Sequence, residues 1–193
     1  MKALILNPFE KYSENHLISF GIVITVIGSG IASLFNARFD GVFDLHFSES
    51  TSFLTVFSDN LMNIISLVFF LFIIGKSLNI KTRMVDILSI SLIARTPYYV
   101  LPLFNFNDGI QKTGNQIASN QNNGDLNQIL NMDLTLTILF AITCILLLVW
   151  YISLLFKGFK IATNAKGNKV TFLFILAIIG AEIGSKYLIN ILN

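Results

Sequence analysis

Hydrophobic residues make up 54% of this 193-residue chain and charged residues 12%, against about 25% charged in a soluble domain. That composition excludes an ordinary water-soluble protein, and the length suits one domain, 1–193. A net charge of +2 gives no nucleic-acid footprint, and a single cysteine, Cys144, rules out an intramolecular disulfide and any multi-cysteine metal site.

The apolar start at Ala3 to Leu6 is too short for a signal peptide. Asn7, Pro8 and Glu10 read as a helix start, so 8–16 is expected to form a short interfacial helix leading into the first span. A bilayer-crossing helix needs roughly 20 mostly apolar residues. Five segments qualify: 17–35, 61–79, 84–104, 134–156 and 170–192. The chain is therefore predicted to be all-α and polytopic, with five transmembrane helices in one bundle.

The first span carries Gly21, Gly28, Gly30, Ala32 and Ser33, read as a helix-packing face. The following segment, 36–60, has a turn signal at Asp40-Gly41 and a weak alternation of Phe43, Leu45 and Phe47 that suggests a short extended piece. Phe53, Phe57, Leu61 and Ile64 follow helical spacing and predict an amphipathic helix in the outer interface. The whole segment reads as a lid on the outer ends of the helices. Spans two and four, almost uniformly apolar, are expected to face lipid and flank a core of spans one, three and five.

Span three has a polar stripe, Ser91, Arg95 and Tyr99, at four-residue spacing. Pro97 removes the hydrogen bond to the Ile93 carbonyl and should kink the helix just past Arg95; Pro102 should do the same near the outer end. Asp86 falls on the opposite face, near Lys81 and Arg83. Residues 105–133, rich in Asn, Gln and Gly, read as a flexible outer loop. Trp150, Tyr151 and Lys157 fit an interfacial anchor at the end of span four.

In the last span, Gly180 and Gly184 form a Gly-x-x-x-Gly pair for close packing, within the bundle or between subunits of a homo-oligomer. Glu182, Ser185, Lys186 and Ile189 cluster nearly opposite. A charge at membrane depth costs several kcal/mol by most estimates. Arg95, Glu182 and Lys186 are therefore expected to form an intramembrane charge cluster, with an Arg95–Glu182 contact. Two roles fit that cluster: a network fixing helix register, or a pathway for a transported ion or polar solute.

Lys and Arg set the orientation. The N-terminal segment and the 2–3 and 4–5 connections carry nine; the opposite loops carry only Arg38 and Lys112. That bias predicts a cytoplasmic N-terminus and an external C-terminus. No paired-His zinc pattern, nucleophile elbow or phosphate-binding glycine loop occurs, so no catalytic residue, metal or cofactor is expected. His16 and His46 read as surface residues.

The run Ala94-Arg95-Thr96-Pro97-Tyr98-Tyr99, Trp150 leading to Lys157-Gly158-Phe159, and the basic connection Lys166-Gly167-Asn168-Lys169 resemble the Yip1 family of five-span integral membrane proteins. The resemblance covers roughly 8–192. It implies a non-enzymatic role in organising membrane or binding partner proteins, with contacts at the basic cytoplasmic loops. Eukaryotic members resemble trafficking factors that engage prenylated Rab-type GTPases, and they carry a long soluble N-terminal region. This chain is more similar to the short prokaryotic members, which implies a bacterial inner membrane.

Overall fold

The computed structural model describes residues 7–120 and 134–192. Among the described residues the fold is helical apart from one two-residue ladder. After a 3-10 turn at Pro8–Glu10, α1 spans Glu14–Leu34; β1 (Ala37–Arg38) and β2 (His46–Phe47) pair antiparallel; α2 spans Phe53–Leu78 and α3 Met84–Ala94. A 3-10 segment, Thr96–Asp108, leads into α4 (Gly109–Asn120); α5 (Leu134–Thr163) and α6 (Asn168–Leu192) complete the chain. Five of these units are long and apolar enough to cross a membrane, the third being the composite Met84–Ala118.

Several local expectations change in the structure. Asn7 makes no side-chain cap, and Pro8–Glu10 is a single 3-10 turn separate from α1 rather than an 8–16 helix. Phe53 and Phe57 stack on the first turns of α2 itself, which runs unbroken from its Ser52 cap; there is no separate interfacial helix. Of the expected loop 105–133, the stretch Gly109–Asn120 is helical, and 121–133 lies outside the described residues.

At Pro97 the chain changes helix type instead of merely bending. Proline lacks the N–H and crowds the carbonyl four residues back, so the α-helix ends at Ala94. The path continues as 3-10 turns, with Tyr98 N–H donating to Arg95 O at 2.9 Å. Pro102 stays inside that segment; the departure from helical backbone falls later, at Asn105–Asn107.

The packing order also differs from the expectation. α2 is the hub, touching α1, α3, α5 and α6, whereas α6 rests almost wholly on α2. The reason is on α2 itself. Asp59, Asn60, Asn63 and Ser66 recur along one face and are buried, and buried polar groups demand partners inside the protein. Ser66 Oγ donates to Ala181 O at 2.7 Å. The Phe70 ring lies against both Gly180 and Gly184, so the Gly-x-x-x-Gly face is used within the bundle. The third span is the most enclosed, 72% of its apolar window being buried, against 17% for α5.

In α1, Gly21 admits Leu92 and Gly28 admits the Tyr99 ring, while Gly30 has no neighbour within 4 Å of a would-be Cβ and takes no part in packing. Tyr151, expected at an interface, is fully buried.

Candidate functional site

The segment between the two short strands is anchored among the helices. Phe39 and Val42 are completely buried, so the turn at Asp40-Gly41 enters the helix bundle. Non-helical backbone is tolerated at such a place only where protein groups satisfy it. Three spans supply them. Asn63 Nδ2 of α2 donates to Phe39 O at 2.7 Å. Val42 N–H donates to Ser185 Oγ of α6 at 3.2 Å. Phe43 N–H donates to Glu182 Oε2 at 2.9 Å. Arg95 Nη1 donates to Val42 O at 3.1 Å, and the Tyr98 hydroxyl donates to Phe43 O.

Gly41 makes the approach possible. A Cβ there would lie 2.6 Å from Glu182 Oε1, so no side chain fits without displacing the carboxylate.

Arg95 is fully buried. Its position follows from the break at Pro97, since it caps α3 and begins the 3-10 turns. Nη2 donates to Asn60 Oδ1 at 2.9 Å and Nη1 reaches the Tyr151 hydroxyl at 3.5 Å. The guanidinium lies 5.6 Å from the Phe39 ring centroid and 5.9 Å from that of Tyr99, within cation–π range. Asn60 Nδ2 then donates to Ser29 Oγ at 2.9 Å, and the Tyr99 hydroxyl to Thr25 Oγ1 at 3.2 Å. The network thus reaches α1.

Contrary to expectation, Arg95 and Glu182 form no ion pair among the described residues. Glu182 instead pairs with Lys186 at 3.0 Å, and Lys186 also holds Asp44 at 2.9 Å. The Val42–Phe43 peptide stands between: Arg95 takes its carbonyl and Glu182 its N–H. A peptide group bridged this way lets both charges be satisfied without meeting.

A second arginine secures the hairpin's rim. Arg38 grips the buried Asp59 with two bonds, 2.9 and 3.1 Å. The hydrogen bond to Asp59 raises the Arg38 pKa, against the opposing effect of burial. His46 contacts Asp40, and that hydrogen bond raises its pKa above the ordinary histidine value.

Sequence reasoning missed Arg38, Asp59, Asn60 and Asn63. The available signal was the polar recurrence at 59, 60, 63 and 66, one helical face at the start of an apolar run. Ser91 Oγ, Arg95 Nε and Asn63 Oδ1 are buried without a hydrogen-bond partner. Elsewhere, Arg83 binds Asp86, as its placement suggested, and also Glu14. No family model, curated protein or solved structure matches the chain.

Proposed function

We propose that this chain is a non-enzymatic multi-pass protein of a bacterial inner membrane, of Yip1-like type, which organises membrane or binds partner proteins. The observation that carries this reading is the commitment of Arg95 and Glu182 to one peptide of the chain's own hairpin. Charges used in that way serve the architecture. The nine-against-two distribution of Lys and Arg supports a cytoplasmic N-terminus. Partner contacts then fall to the basic 2–3 and 4–5 connections, where Lys157, Lys160, Lys166 and Lys169 also attract anionic lipid.

Capture of a partner from the native membrane, with and without neutralisation of those four lysines, tests the reading. Loss of a specific partner with insertion unchanged supports it; unaltered capture, or none, counts against it.

A second reading, a small transporter or channel, is favoured by the unpartnered polar atoms of Ser91, Asn63 and Arg95. Ion and solute flux in proteoliposomes separates the two. Flux in the wild type that Glu182→Gln alters would establish the second reading over the first.

A further inference from the structure

Two cavities meet at the end of the bundle where α1 begins. One, of about 480 Å³, lies between α1, α5 and the Ile93–Pro97 break, and its lining is overwhelmingly apolar. Phe20, 55% exposed, forms its lip. The other, of about 450 Å³, has a mixed lining that includes the charged Glu14, Arg83 and Asp86. Tyr12 and Leu17 line both. An apolar compartment and a charged one therefore share a wall, at the level where membrane-spanning helices begin.

The charged compartment has a defined balance. Arg83 Nη2 and Nε bond the two Asp86 oxygens at 2.7 and 3.1 Å, and Nη2 also reaches Glu14. Two carboxylates facing one guanidinium leave one negative charge in excess. Within that triad a purely anionic headgroup would find a single guanidinium already shared by two carboxylates. A headgroup carrying both phosphate and ammonium would offer phosphate oxygens to Arg83 and N–H donors to the carboxylates. A primary ammonium supplies three such donors, as lysine does; a quaternary one supplies none.

We infer that the paired cavities form a site for one zwitterionic phospholipid with a primary-amine headgroup, its acyl chain in the apolar compartment and its headgroup against Glu14, Arg83 and Asp86. The site uses no residue of the hairpin clasp and does not depend on the function proposed above.

Trp150 lines the apolar compartment and is the chain's one tryptophan, so its fluorescence reports occupancy. The full chain is reconstituted in phosphatidylcholine vesicles containing equal small fractions of dibrominated phosphatidylethanolamine or dibrominated phosphatidylglycerol. The bromine-bearing amine lipid should quench Trp150 with roughly two- to fivefold greater apparent affinity, the factor one or two partly exposed ion pairs supply. Glu14→Gln with Asp86→Asn should abolish the preference while thermal melting stays unchanged. Either single variant, which reduces the preference in part, serves if the double does not insert. Equal quenching by both lipids, stronger quenching by phosphatidylglycerol, or a preference that survives the carboxylate changes overturns the assignment.

Discussion

Arg95 and Glu182 hold the two polar sides of a single peptide group, the carbonyl of Val42 at 3.1 Å and the N–H of Phe43 at 2.9 Å. They are therefore coupled without touching. Arg95→Gln leaves the Val42 carbonyl and Asn60 Oδ1 without their donor, a loss on the order of 3 kcal/mol. Glu182→Gln keeps an acceptor for Phe43 N–H and should cost about 1 kcal/mol. Thermal unfolding in detergent of both single variants and the double should show an interaction energy of about 0.5 kcal/mol or more. Strict additivity would refute a shared peptide.

Two glycines of α1 should respond oppositely. A methyl at Gly28 enters the Tyr99 ring, whereas one at Gly30 meets nothing within 4 Å. Gly28→Ala forces repacking and should cost about 1–3 kcal/mol. Gly30→Ala should stabilise by up to about 1 kcal/mol through helix propensity. Melting temperatures of the two variants decide this directly.

Enlarging the glycine face of α6 distinguishes packing within the chain from association between chains. Phe70 already occupies Gly180 and Gly184. Gly184→Ile should therefore cost about 1–3 kcal/mol and leave the oligomeric state unaltered by light scattering. A change of oligomeric state at constant stability would contradict that placement.

The hairpin rim should carry a pH response. The hydrogen bond to Asp40 raises the His46 pKa, while burial opposes it. A folded value above the unfolded one, about 6.5, means that the contribution is complete below that pH and lost as pH rises through the folded value. His46 is 45% exposed along its side chain, so solvent screening keeps the effect below about 1 kcal/mol. Melting temperature should decline across this window in the wild type and stay level in His46→Gln, once the response of the other groups is subtracted.

Hydropathy located all five spans because each is a long apolar run, and Pro97 announced a break near Arg95, though not its form, because its chemistry is local. The hairpin was hidden for the converse reason. Phe39, Val42 and Phe43 alternate with Asp40, Gly41 and Asp44, and such a mixture has no hydropathy signature of burial. Its place is set by groups far away in sequence, Asn63, Arg95, Glu182 and Ser185. Helix order within the bundle was equally obscure. The visible charges of α6 suggested a central helix, but Lys186 and Glu182 meet Asp44 and the hairpin. The hub is α2, whose short polar residues carry no formal charge beyond Asp59 in that stripe.

The hairpin also records the state of assembly. Arg38 and Asp59 are 21 residues apart, so their bond becomes available once the first two helices have emerged. The Val42 carbonyl waits for Arg95, and the N–H groups of Val42 and Phe43 wait for Ser185 and Glu182 near the end of synthesis. A nascent chain stopped before α6 leaves two amide donors exposed inside its own bundle. The hairpin's last hydrogen bonds thus form only when the final helix packs in place.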